Sequence, residues 1–178
     1  RDPAETLRVV EARDFGGDLL LKEVQERVVA VLRMAEALSP KYHVVVANPP
    51  YAGAKGLNPD LAAWVKNNYK VAKNDLMTCF MMRCQSLALQ HAYWNMLNLP
   101  SWMFLVGFEE LRHHLLEKNS FTSLLHLGRG LFGPDFGTVA FCFKNAPSEP
   151  GEGAVFRRLF EDHVNVRTPE KIEKLFLD

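Results

Sequence analysis

Residues 42–53, YHVVVANPPYAG, change character within a few positions. The run HVVVA at 43–47 is dominated by β-branched apolar residues, which predicts a short strand covered on both faces. An amide, two prolines and a phenol follow at once. Proline fixes φ and lacks an amide hydrogen, so the strand must end there. The stretch therefore predicts a buried strand that ends in a stiff corner, formed by Asn48, Pro49, Pro50 and Tyr51.

The surrounding pattern places this strand in an α/β sheet. Apolar spacing and N-terminal caps predict helices, and short apolar runs predict further strands. Alternating helices and strands indicate a mostly parallel sheet. About eight residues join the last two strands, too few for a helical crossover, so that hairpin should be antiparallel. The predicted helices cover 2–13, 19–38, a short segment within 52–74, 75–90 and 102–119, and the later strands cover 92–99, 121–128 and 137–145.

Three segments divide the chain. Residues 1–41 read as a helical segment before the sheet, and 42–146 as the sheet domain. Residues 52–74 read as an excursion outside the core. Residues 147–178 read as a linker, rich in Pro, Gly and Glu, and the start of a following region.

The composition excludes several classes of function. Lys and Arg number 21, as do Asp and Glu, so the whole chain offers no net attraction to nucleic acid. The three cysteines lack a CxxC spacing and predict buried, reduced thiols in a cytoplasmic protein. The six histidines show no metal-binding spacing, so no metal is expected. No basic-then-apolar leader opens the sequence, so no signal peptide is expected, and the start without Met suggests a piece of a longer protein.

The corner at 48–51 carries the chemistry. The side-chain oxygen of Asn48 and the carbonyl of Pro49 could accept both N–H bonds of an amino group whose lone pair is otherwise delocalised. Tyr51 offers a ring to stack on a flat substrate, a contact worth roughly 1–3 kcal/mol for a nucleobase. The structural alternative is a rigid Pro-Pro turn that closes a strand.

Three blocks of sequence resemble a known family. KYHVVVANPPY looks like motif IV of the S-adenosylmethionine-dependent amino-methyltransferases, in the form found in DNA adenine methyltransferases. NLPSWMFLVGFEELRHHLL and LLHLGRGLFGPDFGTVAFCFKN resemble the adenine-specific methyltransferases of the phage-exclusion (BREX, or phage growth limitation) systems. The resemblance spans roughly residues 19–145. It implies the C-terminal, catalytic half of a Rossmann-like methyltransferase fold that transfers a methyl group from S-adenosylmethionine to adenine N6 in double-stranded DNA.

The resemblance also implies roles for individual residues. Asn48 and Pro49 would orient the amine, Pro50 would shape the turn, and Tyr51 would stack on the flipped adenine. These four are the expected catalytic residues.

The other expected site residues lie later in the chain. Phe132 or Phe136, in the hairpin, would hold the second face of the flipped base. Asp75, at a helix start, and Phe80, in the following helix, match the places that contact the cofactor in relatives. A target-recognition region would follow the linker.

One family feature is missing. Residues 1–41 contain no strand followed by a glycine-rich turn, which in relatives holds the cofactor. The GxGxxG at 128–133 follows a strand, but Pro134 and another strand come next, whereas phosphate binding needs a helix N-terminus there. The chain by itself is therefore expected to bind cofactor weakly and to be inactive.

Two alternatives stay open. An NPPY corner also serves methyltransferases that act on glutamine side-chain amides of proteins or on RNA guanine. The neutral charge and missing cofactor turn would also suit a non-catalytic module that binds other phage-defence proteins.

Overall fold

A computed structural model describes residues 2–130, 137–160 and 168–177. The chain divides into two compact units, 1–41 and 42–178. No helix among the described residues is long and apolar enough to cross a membrane. The helices are α1 (Pro3–Glu11), α2 (Leu19–Ala37), α3 (Pro59–Asn68), α4 (Leu76–Leu87), α5 (Glu109–Lys118) and α6 (Pro169–Leu177), and the strands are β1 (Tyr42–Ala47), β2 (Ala88–Asn98), β3 (Ser120–Arg129), β4 (Gly137–Lys144) and β5 (Val155–Arg158).

The first unit contains α1 and α2, close to the helices predicted at 2–13 and 19–38. The Asp2 carboxylate accepts a hydrogen bond from Ala4 N, and the Asp18 carboxylate caps α2 in the same way. The Gln25 side chain, on α2, donates to the carbonyls of Val10 (2.7 Å) and Arg13 (2.9 Å) at the end of α1. No residue of α2 is buried; most of its apolar positions lie exposed, and Val29, Leu32 and Ala35 are half-buried.

The second unit is built on one five-stranded sheet with the order β1-β2-β4-β3-β5. β1 pairs parallel with β2, β3 pairs parallel with β5, and β4 is antiparallel to both of its neighbours. Four of the five strands therefore run in one direction, and β4 alone is reversed. This confirms the predicted α/β fold with an antiparallel last hairpin. β5 brings part of the predicted linker segment into the sheet.

Helices α4 and α5 supply much of the core that supports this sheet. Trp94 of β2 stacks on Phe143 of β4, with ring centroids 4.8 Å apart. The Trp94 indole N–H donates to the Asn119 side-chain oxygen (2.9 Å) after α5. Because both partners are buried, the polar N–H is satisfied inside the core. Other fully buried members of this core include Met77, Met81, Leu111, Leu115 and Val139.

Two expectations about burial were wrong. Val44 and Val46 are 57% and 74% exposed, so β1 is covered on one face only. Among the described residues β1 pairs with β2 alone, which makes it an edge strand. The segment 52–74 is not outside the core either, because Val65 and Ala72 are buried within it.

The single helix predicted for 102–119 was also wrong. Two short 3₁₀ turns occupy the first half, and α5 begins only after them. Arg112 of α5 donates through Nη1 to the carbonyls of Trp102 (2.9 Å) and Leu105 (2.7 Å). The guanidinium thus satisfies carbonyls that a continuous helix would pair with its own amides.

Candidate active site

The NPPY corner lies at the carboxyl end of β1, on the edge of the sheet where parallel strands end. Val46 pairs with Asn95 and Ala47 with Met96 of β2, so both strands end on the same side. Open α/β sheets bind ligands beyond the carboxyl ends of their strands. The NPPY turn therefore lies at the place where open α/β sheets bind ligands.

Exposure alternates through the corner. Asn48 and Pro50 are exposed, Pro49 is buried and Tyr51 is half-buried. The buried Pro49 ring anchors the turn, while the amide of Asn48 can reach a molecule in front of it.

The Tyr51 side chain contacts Asn48, the first residue of the corner. Its hydroxyl lies 3.1 Å from the Asn48 side-chain oxygen and 3.4 Å from the Leu97 carbonyl of β2. Burial raises the pKa of the Tyr51 phenol above its ordinary value, so the hydroxyl keeps its proton at neutral pH. The phenol is therefore a neutral hydrogen-bond donor beside two oxygen acceptors.

Backbone hydrogen bonds clamp the chain that leaves the corner to the start of α4. Leu76 N donates to the Ala52 carbonyl (2.8 Å), and Ala54 N donates to the Asn74 carbonyl (3.0 Å). An antiparallel bridge joins Gly53 to the residue before α4. The corner is thus fixed on one side by β1 and on the other by a helix whose inner face lies in the core.

A cavity of about 410 Å³ opens beside Asn48. Apolar side chains of the sheet form most of its surface, and Asn95 and Ser123 add polar groups. Its volume lies within the range of small-molecule sites. The other lining residues are Val46, Ala47, Met96, Leu97, Leu125, Ala140, Phe141 and Cys142.

Asp75 and Phe80 lie at different places on α4. The Asp75 carboxylate caps the helix by accepting from Met77 N (2.9 Å), which is a structural task in itself. Phe80 is partly exposed and lines a second cavity of about 350 Å³ together with Trp64 and Tyr69. The structure brings Asp75 next to the corner, and places Phe80 in an aromatic cavity that Asn48 does not line.

The end of β2 adds groups that the sequence did not single out. The Leu97 carbonyl faces the Tyr51 hydroxyl. Asn98 is fully buried, with its oxygen accepting from Leu99 N (3.0 Å) and its amide nitrogen 3.5 Å from the sulfur of Met96. The contact between Leu97 and Tyr51 joins residues 46 positions apart, so no local pattern signals it. Phe132 and Phe136, expected on the base, lie outside the described residues.

Solved structures share this fold. A Type ISP restriction-modification enzyme, LlaBIII, solved bound to DNA, superposes with a TM-score of 0.60 at 17% identity, over 80% of this chain and 11% of that one. A protein from Listeria monocytogenes described as a class I S-adenosylmethionine-dependent methyltransferase gives 0.57 at 13% identity, over 84% of this chain and 49% of that one. These likenesses confirm the predicted methyltransferase-like fold.

Curated proteins match by sequence. The chain is 37% identical over 154 residues to the adenine-specific methyltransferase BrxX of Escherichia coli O9:H4 (strain HS), which covers 83% of this chain and 12% of that protein. It is 34% identical over 102 residues to the adenine-specific methyltransferase PglX of Lacticaseibacillus casei (strain Zhang), covering 57% and 8%. The chain thus spans about a tenth of each relative's length. These matches confirm the resemblance seen in the sequence.

The family model named Eco57I restriction-modification methylase matches residues 18–132, a range that includes the corner, the clamp and the whole of α4. This range is well over half of the 178 residues. With the sheet order and the two sequence relatives, it identifies the family. The chain belongs to the Eco57I restriction-modification methylase family.

Proposed function

We propose that this chain is the catalytic half of a DNA methyltransferase that methylates adenine at N6, with S-adenosylmethionine as the methyl donor. One observation carries the proposal: Asn48 is exposed at the carboxyl end of a parallel strand, beside a cavity, on a turn held rigid from both sides. The names of the two curated relatives support adenine as the methylated base.

The corner supplies acceptors for a weak nucleophile. The adenine amino group is nearly planar because its lone pair is shared with the ring. The Asn48 oxygen and the Pro49 carbonyl accept one hydrogen bond from each N–H of the amine. These two hydrogen bonds favour a pyramidal nitrogen. Pro50 fixes the direction of the turn, and the Tyr51 ring stacks on the extruded base. Fixed dipoles of this kind stabilise developing positive charge without reorganising.

The bound cofactor would supply an electrophilic methyl group on a sulfonium. For displacement at that methyl group, the N6 amine must be held in line with it. The residues of this chain hold the amine and keep the base in line for that displacement. Phe132 or Phe136 would cover the second face of the base.

The cavity at Phe80 fits the flat base of the cofactor. Trp64 and Tyr69 line it with Phe80, and aromatic rings suit a planar heterocycle. Asp75 caps α4, the helix that carries Phe80, and its bridge to Gly53 joins it to the chain just after the corner. Replacing Phe80 by Ala in the full-length protein should raise the Kd for S-adenosylmethionine by about tenfold, the equivalent of one lost aromatic contact. An unchanged Kd would remove Phe80 from the cofactor site.

The 178-residue chain by itself should bind S-adenosylmethionine weakly and transfer no methyl group, because residues 1–41 lack the glycine-rich turn of the family. Isothermal titration that gives a micromolar Kd for this chain would contradict this. Acting on cellular DNA, the full-length protein would work in the cytoplasm. The resemblance to phage-exclusion enzymes makes other phage-defence proteins its expected partners.

Asn48→Ala in the natural full-length protein tests the proposal. Loss of one pre-placed polar group at the reacting atoms should lower the methylation rate about 10²–10³-fold. Asn67→Ala, at an exposed asparagine on α3, is the matched control and should leave the rate unchanged. The readout is N6-methyladenine in duplex DNA, with RNA and protein substrates in parallel. Retained adenine methylation in Asn48→Ala would remove this residue from the active site.

A further inference from the structure

The Tyr51 hydroxyl faces two acceptors with one proton. The Asn48 side-chain oxygen lies 3.1 Å from it and the Leu97 carbonyl 3.4 Å. A hydroxyl donates one hydrogen bond at a time but can accept as well. The proton can therefore go to only one of these oxygens at any moment.

Each choice fixes the amide of Asn48. When the hydroxyl donates to Leu97, its oxygen can accept from an Asn48 N–H, and the Asn48 oxygen then turns away from Tyr51. When the hydroxyl donates to Asn48, it holds that oxygen directly. The two ends of an amide are assigned from such partners. In the observed arrangement the Asn48 oxygen faces the hydroxyl at 3.1 Å, so it accepts that proton with one lone pair and keeps its second lone pair for the substrate amine.

The amide needs such a partner. Asn48 is exposed, and the terminal torsion of asparagine is broad, so packing alone leaves its amide free to turn over. An amide turned the wrong way would offer N–H donors to an amino group that already carries N–H donors. Methyl transfer needs an oxygen at that point, so a flipped amide is unproductive.

We propose that Tyr51 acts twice, its ring as the stacking surface and its hydroxyl as a positioning group that holds the Asn48 oxygen toward the amine. This inference rests on the proposed function of the corner. The Leu97 carbonyl, on the neighbouring strand, is the competing acceptor for the hydroxyl proton, and it lies at the longer distance, 3.4 Å against 3.1 Å to Asn48. The burial that raises the pKa of the phenol keeps the donor protonated across the neutral range.

Tyr51→Phe separates the two tasks, because it keeps the ring and removes the hydroxyl. In single-turnover assays of the full-length protein, the rate should fall about 3- to 10-fold, the equivalent of one neutral hydrogen bond. The Kd values for DNA and for S-adenosylmethionine should not change. Tyr93→Phe, an exposed tyrosine on β2, removes a hydroxyl elsewhere and should change none of these quantities.

Asn48→Asp provides a second test, because a carboxylate presents oxygen whichever way it turns. In that background, Tyr51→Phe should cost less than about twofold, which gives a clear coupling in a double-mutant cycle. An equal cost in both backgrounds, or a Tyr51→Phe rate equal to that of the unmodified protein, overturns the inference while the loss in Asn48→Ala still supports the proposed function. Full activity in Asn48→Ala overturns both.

Discussion

Gly128→Ala should destabilise the sheet unit strongly, because two separate costs meet at this residue. Gly128 lies near the end of β3 with φ at +72°, a left-handed conformation that costs other residues about 1–2 kcal/mol. A Cβ there would also lie 3.0 Å from Cδ1 of Phe160 and 3.3 Å from its Cβ and Cγ. Phe160 is buried against the His126 ring, with centroids 4.8 Å apart, so it cannot move away freely. Overpacking costs about 1–3 kcal/mol, which brings the total to about 2–5 kcal/mol.

Gly151→Ala is the matched control. Its φ is +90°, but nothing lies within 4 Å of an added Cβ, so only the backbone cost of about 1–2 kcal/mol applies. Urea unfolding followed by tryptophan fluorescence measures both changes. Trp64, Trp94 and Trp102, the three tryptophans of the chain, all lie in the unit 42–178, so the signal reports that unit.

Equal losses for the two glycine variants would refute the steric part of this reasoning. A cycle with Phe160→Ala tests it again, because removing the ring removes two of the three close contacts, including the shortest, to Cδ1 at 3.0 Å. In that background, Gly128→Ala should cost no more than Gly151→Ala does. A Gly128→Ala cost that is undiminished in the absence of the ring would place the strain in the backbone alone.

Further predictions concern buried polar and titratable groups. Asn119→Ala leaves the buried Trp94 indole N–H unpaired and should lower the free energy of unfolding by about 1–3 kcal/mol in the same urea assay; a loss below about 0.5 kcal/mol would contradict this. Burial lowers the pKa of His126, so the unfolded state binds a proton at a higher pH than the folded state does. The stability that comes from keeping this ring neutral is full above pH 6.5 and is lost as the pH falls through the lower, folded pKa. His126→Gln should therefore reduce the pH dependence of the free energy of unfolding measured from pH 7 to pH 4.5. Burial raises the pKa of Cys79 and of Cys84 to about 11, so both thiols should resist alkylation in the native protein at pH 8 and react after unfolding, as mass spectrometry would show.

Local signals predicted the elements well where the deciding contacts are local. Asp2 and Asp18 cap their helices through residues two or three positions away, and the sequence marks both starts. The prediction of one helix over 102–119 was wrong because Arg112 donates to two carbonyls of this segment, a tertiary contact that the local pattern does not show. The prediction that both faces of β1 are covered was wrong for a related reason. An apolar run shows that a strand could be buried on both faces, but it does not show whether another element covers each face. Val46, which is apolar and exposed, is an example.

The candidate site divides along the same line. Asn48, Pro49, Pro50 and Tyr51 are adjacent, so their order alone suggested an acceptor pair and a stacking ring. The Leu97 carbonyl could not be predicted, because it reaches Tyr51 from 46 positions away along the chain. The catalytic roles of the four residues remain predictions, as does the role of Phe80, until the substitutions proposed above are measured.

The clamp at α4 explains how an exposed turn can be precise. A dipole stabilises a transition state best when it is held in place before the reaction begins, since reorienting it would cost free energy at that moment. Asn48 has to be open to solvent to meet a substrate, and an open loop is ordinarily mobile. Here Pro49 is buried, and the hydrogen bond from Leu76 N to the Ala52 carbonyl ties the chain just after the turn to the first residue of α4. Because Met77 in the first turn of α4 is fully buried, the rigidity of the core extends to the corner.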